Sequence, residues 1–201
     1  RDRLRSRGLG DVYKRQVRET VKLEQINKWL PIQATRQAYK RLGKDPNRYR
    51  PSSEALRRRI LRELPLYKVD TLVDLINLVS IRSGYSIGGF DADKIAGGSL
   101  VLGVGREGEV YHGIGRGELN IAGLPVYRDA VGGVGTPTSD EERTKIGLDT
   151  TRLLMIINGY SGLDGLESAG KYAADLLSKY VSAINMEAEL ITAEDRRKIT
   201  L

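Results

Sequence analysis

Residues 73–91 read VDLINLVSIRSGYSIGGFD and decide the fold, because an apolar helical pattern runs here directly into a glycine turn. Leu72, Val73, Leu75, Ile76, Leu78, Val79 and Ile81 leave almost no polar face, which predicts a buried central helix rather than a surface one. Asp74, Asn77 and Ser80 interrupt the apolar run at a spacing of three. They drift round one side of the helix, where they either face a polar cleft or staple neighbouring loops. Ser83-Gly84 marks the end of the helix.

Outward toward the N-terminus, Val17–Leu30 has helical spacing and is expected to end at Pro31. A second helix is expected over Ala34–Leu42, stopped by Gly43. A third is capped by Ser52 or Ser53, with Ala55, Leu56, Ile60 and Leu64 as its apolar stripe and Arg57, Arg58, Arg59 and Arg62 displayed outside it. Between Arg36 and Arg62, ten Lys or Arg face only Asp45 and Glu54, a local net of +8. With Tyr39 and Tyr49 interleaved, this footprint suits phosphates and an unpaired base. The plain alternative is a solvated helical face paired with acidic neighbours.

Toward the C-terminus, Ser99–Val104, Glu109–Ile114, Leu119–Ala122, Pro125–Tyr127 and Leu153–Asn158 are short β-favouring runs between glycine-rich turns. Leu163 to about Glu189 has a helical period, and the charged residues after Thr192 read as a frayed tail. Gly103–Gly108 fits G-x-G-x-x-G, but Glu109–Gly115 is β-like and broken by glycine, so a hairpin turn is expected rather than a dinucleotide site opening a helix at Gly108. Gly132-Gly133-Val134-Gly135-Thr136 lacks the Gly-Lys-Ser/Thr ending of a phosphate loop.

A chain of 201 residues, 40% hydrophobic, suits one domain with helical appendages. No run approaches the roughly 18–20 apolar residues of a membrane span and no leader pattern opens the chain, so a soluble, cytoplasmic protein with no membrane partner is expected. No Cys and a single His exclude disulfides, thiol nucleophiles and His/Cys zinc sites. No metal or cofactor is expected, which leaves carboxylates, hydroxyls, backbone amides and His112. Residues 6–16, SRGLGDVYKRQ, resemble the translation of a transposon-type sequencing adaptor, so residues 1–16 are set aside as a probable artefact with the native N-terminus missing. They carry six basic and two acidic residues, a net of +4, so the remainder falls from the formal +7 to about +3. The expected organisation is then a helical segment over 17–64, a core over 65–160, and a C-terminal helix and tail over 161–201.

Asn77, Gly88-Gly89-Phe90-Asp91, Gly132-Gly133 and a Thr/Ser/acid-rich segment before a strand resemble, in that order, the B3/B4 domain of the phenylalanyl-tRNA synthetase β-subunit. AYKRLGKDPNRYRPSSEALRRRIL, VDLINLVS, GGFDADKI, GEVYHGIG and SDEERTK are similar to freestanding B3/B4 proteins, over roughly Gln33 to Gly159. The resemblance implies an α+β fold in three layers, with a β-sandwich of unusual topology flanked by helices. It also implies an editing site that hydrolyses tyrosine wrongly esterified to the phenylalanine tRNA.

Carried across residue by residue, the family's motif Asn falls on Asn77, its glycine pair on Gly132 and Gly133, and its pocket acid on Asp149. The Thr before that Asn is Ile76 here, a family Arg falls on Thr71, and the editing His of the HAFD segment is Gly88. Asn77, Asp149, Gly132 and Gly133 are therefore the expected catalytic set. Amides of Gly132, Gly133 and Gly135 would serve as oxyanion donors, with Asp91, Thr136, Thr138, Ser139 and His112 on the substrate side and Asp140 at the rim. The plain reading of the Thr136–Lys145 segment is a capped turn. Lys40, Lys44, Arg48, Arg50, Arg57, Arg58 and Arg62 form the expected RNA face. The partner is tRNA or aminoacyl-tRNA, with oligomeric state left open. The function is trans-editing of mischarged aminoacyl-tRNA, or a non-catalytic module that binds tRNA or an amino acid.

Overall fold

The computed structural model describes residues 8, 11–12, 14–15, 17–19, 22–66 and 70–201. Helix α1 (Leu30–Arg41) carries Pro31 in its opening turn. A proline is tolerated there because the first N–H groups of a helix have no intrahelical partner, so Pro31 opens this helix instead of closing the one before. Ahead of it lies a short 3-10 helix, Leu23–Lys28, and part of the helix expected over Val17–Leu30, including Val21, lies outside the described residues. Gly43 follows α1 at a φ of 78°, the left-handed stop that the sequence predicts.

Helix α2 (Ser52–Leu61) starts directly after Pro51, and neither serine side chain caps it. Ser53 Oγ instead lies 3.2 Å from Ser86 Oγ, tying the helix to the first strand. Leu56 and Ile60 are buried as the stripe requires, whereas Leu64, beyond the helix end, is exposed.

Helix α3 (Thr71–Ser83) is the expected central helix. Asp70 caps it by accepting from the Leu72 amide at 2.8 Å, and Gly84 ends it at a φ of 82°. Leu75, Leu78 and Val79 pack against Ala169, Ala173, Leu176 and Tyr180 of the last helix, α4 (Leu166–Val181). Leu72 and Ile76 pack against Ile146. Of the three interrupting polar residues, Ser80 is a buried staple, donating to the Tyr85 carbonyl at 2.7 Å.

Strand β1 (Ser86–Asp91) runs antiparallel to β7 (Leu153–Asn158), with Gly88 opposite Ile156 and Gly89 opposite Met155. Gly89 faces α3, and a Cβ there would sit 2.5 Å from Ile76 Cδ1, so glycine lets helix and strand close on each other. A three-stranded sheet has the order β2-β5-β6, with β2 over Val101–Val104, β5 over Pro125–Arg128 and β6 over Gly133–Gly135. The two sheets meet where the Phe90 ring presses on Gly135 and where Tyr127 Oη donates to Asn158 Oδ1 at 3.0 Å. The chain is an α+β fold whose sheets are small.

The strand expected over Glu109–Ile114 shrinks to β3 (His112–Gly113), paired with β4 (Gly117–Glu118), and Leu119–Ala122 keeps a single bridge, Gly105 to Ala122. Gly108 sits in a turn at a φ of 70° with no helix opening from it, so the phosphate-holding N-terminus of a dinucleotide site is missing at the glycine pattern. The C-terminus also departs from expectation. Helix α4 stops at Val181, with Ser182 in the left-handed region, and the supposed frayed tail is a hairpin of β8 (Ala188–Ile191) and β9 (Arg196–Ile199). Leu190 is buried under it, and Glu189 pairs with Arg196 across it. No helix among the described residues is long and apolar enough to cross a membrane.

Candidate functional site

The basic segment folds around one buried carboxylate. Glu54 has no exposed surface; its Oε2 accepts from Arg36 Nη1 and its Oε1 from Arg58 Nε, each at 2.8 Å, while Arg50 Nε lies 3.7 Å away. One negative charge thus fixes three guanidinium groups and leaves the cluster net positive. Lys40, Arg48 and Arg62 are exposed.

Two members of the expected RNA face are not on it. Arg57 is 6% exposed, lies 3.3 Å over the Trp29 ring and donates to the Ile81 carbonyl at the C-terminal end of α3. The α2 face that carries Arg57 packs on the end of α3, whose unsatisfied carbonyls attract a cation. Burial lowers its pKa to about 9. Lys44 is likewise buried, donating to the Asn120 carbonyl at 2.8 Å with its ammonium over the Tyr49 ring. Burial first, and Arg48 second, lower its pKa.

The segment Thr136–Asp140 fastens the basic helices to the sheets. The Ser52 amide donates to the Pro137 carbonyl at 2.8 Å, Tyr39 Oη lies 2.9 Å from Thr138 Oγ1, and Tyr111 Oη donates to the Ser139 carbonyl at 2.7 Å. Thr136 Oγ1 closes the turn on Ser139 O at 3.0 Å. Thr136 and Thr138 are buried; the Thr136 hydroxyl also accepts from the Thr138 and Ser139 amides and holds the turn together, while the Thr138 hydroxyl faces Tyr39 and the Tyr49 carbonyl.

The next residue carries the most perturbed carboxyl of this region. Asp140 Oδ2 accepts from the Gly89 amide at 3.1 Å, and its Oδ1 faces Gly88 and Gly135. No cation pairs with it among the described residues. Burial pushes its pKa up to about 7, against the smaller opposing effect of the Gly89 hydrogen bond. A carboxyl poised there can both take and return a proton at neutral pH.

The four residues expected to be catalytic fall in three separate places: Asn77, Asp149 and the adjacent Gly132-Gly133 pair. Asn77 is half-buried on α3, one helical step of about 100° beyond Ile76, the residue that faces Gly89. Asp149 is exposed in the turn before β7, and Gly133 lies in β6 opposite Arg128. Among the described residues no hydrogen bond or ion pair joins any two of them.

The Gly132 amide is not a free oxyanion donor, because it donates to Asp129 Oδ1 at 3.0 Å. Asp129 also accepts from the Ala96 and Val131 amides and from both terminal nitrogens of Arg143, at 2.8–3.0 Å. Against the push of burial, these contacts hold its carboxyl well below the usual range. Asp91 is buried at the end of β1. Burial alone would raise its pKa, but hydrogen bonds from Thr150 Oγ1 and the Asp93 amide, with Lys94 beside it, lower it instead. At Gly88, the place of the relatives' histidine by resemblance, a Cβ would sit 2.7 Å from Phe90 Cζ, so the ring already fills that volume.

His112 is exposed on β3 at the edge of an open cleft of about 500 Å³, lined by the glycines of the β3–β4 turn and by Glu141, Glu142 and Arg143. The cleft adjoins Asp140 along the chain, since Gly113 bridges to Glu141 and the Ile114 amide donates to the Asp140 carbonyl. Asp140 and Glu54 are the chemically telling acids that sequence reasoning undervalued. The only signal for Glu54 is its isolation among ten basic residues, and the only signal for Asp140 is its place after a Thr/Ser turn.

A family model described as the B3/4 domain matches residues 34–182, from α1 through the whole of α4. No curated protein matches the chain.

Proposed function

The chain belongs to the B3/4 domain family, and on that premise we propose that it binds the acceptor end of an aminoacyl-tRNA and hydrolyses a misplaced amino acid from it. The observation that carries the reading is Asp140, a half-buried carboxyl with no cationic partner among the described residues and a pKa pushed up to about 7, which immediately follows the turn bonded to the basic helices. Phosphates dock on Lys40, Arg48 and Arg62 and on the exposed part of Arg50, and an unpaired base finds Tyr49.

An aminoacyl ester is already activated, so the reaction asks for little machinery. Asp140, as carboxylate, accepts a proton from water while the water oxygen bonds to the ester carbonyl carbon. The bond from that carbon to the ribose oxygen then breaks, and the ribose oxygen takes the proton from Asp140. Free amino acid and uncharged tRNA leave. The test is amino-acid release from mischarged tRNA between about pH 6 and about pH 8. The rate should rise through about 7 as Asp140 ionises, and a rate that is flat over that range in a hydrolysing protein would remove Asp140 from the mechanism.

A second reading is a module that binds tRNA or an amino acid without turnover. The Phe90 ring in the volume beside Gly88, and the engagement of the Gly132 amide by Asp129, favour it. Binding of mischarged tRNA with no release of amino acid identifies this case.

A further inference from the structure

Tyr111 has no part in that mechanism, although its position bears directly on Asp140. It precedes β3, is 1% exposed and packs in the core with Tyr39, Ile121, Leu124 and Val126. Its hydroxyl leaves that core to donate to the Ser139 carbonyl at 2.7 Å. The same carbonyl accepts from the Thr136 amide at 3.1 Å and from Thr136 Oγ1 at 3.0 Å, so three donors converge on the peptide that leads into Asp140. On the far side, the carbonyl of Asp140 itself accepts from the Ile114 amide at 3.0 Å. Tyr111 and Ile114, which flank β3, therefore fix the backbone before and after the carboxyl.

The carboxyl depends on that backbone for its aim. It lies against Gly88, Gly89 and Gly135, which carry no side chains to hold it, and among the described residues its only hydrogen bond comes from the Gly89 amide. A rotation of the Ser139–Asp140 peptide would swing it off that amide. The Tyr111 phenol suits a permanent contact: burial first, then the charges of Asp140 and Glu141, raise its pKa far above neutral, so it keeps its proton and stays a donor. Gly133 completes the arrangement. A Cβ there would lie 2.9 Å from Tyr111 Cδ2 and 3.1 Å from its Cε2, so glycine on β6 admits the ring. One of the expected catalytic glycines thereby has a use that does not involve its amide.

We propose that Tyr111 is the positioning residue of the Asp140 site: its hydroxyl fixes the peptide before Asp140 and so aims the carboxyl at the Gly89 amide, and Gly133 is a glycine because the Tyr111 ring occupies the space over it. The catalytic consequence rests on the deacylase reading above, whereas the aim of the carboxyl is measurable without turnover.

The full chain, isotope-labelled at its aspartate carboxyls, is titrated with pH by NMR, and Asp140→Asn assigns the resonance that disappears. Tyr111→Phe keeps the ring and loses the hydroxyl, whereas Gly133→Ala keeps the hydroxyl and displaces the ring. In both, the Asp140 midpoint should fall from about 7 by at least about one pH unit, because a loosened carboxyl meets more water. With mischarged tRNA, kcat above the midpoint should fall by about tenfold or more while KM holds. Tyr85→Phe is the control: it removes a comparably buried hydroxyl from the Asp164 carbonyl, a bond of 2.6 Å, and should lower the thermal midpoint without moving Asp140. An Asp140 midpoint that Tyr111→Phe leaves in place, or that Tyr85→Phe moves as far, overturns the proposal. A midpoint that moves in a protein releasing no amino acid keeps the positioning role and defeats the deacylase reading. Release whose rate and midpoint are unchanged in Tyr111→Phe defeats the positioning role alone.

Discussion

The amide of Gly89 donates to Asp140 Oδ2 at 3.1 Å, and that is the one polar contact that the otherwise unpaired, half-buried carboxyl receives among the described residues. Its folded pKa of about 7 lies above the unpaired value of 3.8, so the folded state holds the proton more tightly than the unfolded chain. The stabilisation is fully present below about pH 4 and is lost as pH rises through about 7. Asp140→Asn should therefore remove a fall in unfolding free energy between those limits, a difference of up to ~4 kcal/mol at neutral pH. Urea unfolding of both proteins at a series of pH values checks this. Parallel curves would mean that Asp140 titrates in the folded state as it does in the open chain.

Gly88 and Phe90 lie two positions apart on β1, and the ring tip occupies the space over the glycine. Gly88→Ala is expected to destabilise the fold by ~1–3 kcal/mol through overpacking. Phe90→Leu in the same chain should recover much of that loss, as read from the denaturant midpoints of the two single variants and the double variant.

Glu54 is the counter-charge beneath Arg36, Arg50 and Arg58. Glu54→Gln leaves guanidinium groups inside without their carboxylate, and a loss of ~3–5 kcal/mol is expected. The same substitution should weaken RNA binding only as far as folded protein is lost, which circular dichroism and a binding titration on one sample distinguish.

The basic residues of this region should not all behave alike. Reversing Lys40, Arg48 and Arg62 to Glu together should lower tRNA affinity and flatten the log–log salt dependence by a slope of ~2–3. Arg57→Ala should instead lower thermal stability by ~1–3 kcal/mol, since it removes the guanidinium from Trp29 and from the Ile81 carbonyl. Equal effects of all four positions on RNA affinity would contradict the burial of Arg57.

The central helix was legible because seven of the ten residues from Leu72 to Ile81 are apolar and Gly84 supplies the left-handed stop, both local signals. Strand β7 was legible as an apolar run, whereas Ser86–Asp91 reads in sequence as a glycine turn: Gly88 and Gly89 carry no side chain to show a strand pattern, and it is the pairing with β7 that makes this stretch β1. Pro31 was misread because proline is compatible with both the end of one helix and the first turn of the next, and only the packing of α1 decides between them. The hairpin after Val181 was missed because its strands are charged, and an alternation stabilised by Glu189–Arg196 looks in sequence like a solvated tail. The site was less legible than the fold. That Arg57 and Glu54 are buried while Lys40 is exposed depends on how α2 sits on α3, and Asp140 acquires its environment from Gly89, some fifty residues earlier in the chain. No local pattern records contacts of that range.

The most direct measurement is amino-acid release from a panel of mischarged tRNAs by the full chain and by Asp140→Asn, at a pH just above 7. At least one mischarged species should be hydrolysed, and the Asp140→Asn rate on it should fall by ~10²-fold or more with tRNA affinity unchanged. Bound tRNA with no release from any species, or release that Asp140→Asn leaves intact, would contradict a deacylase centred on Asp140.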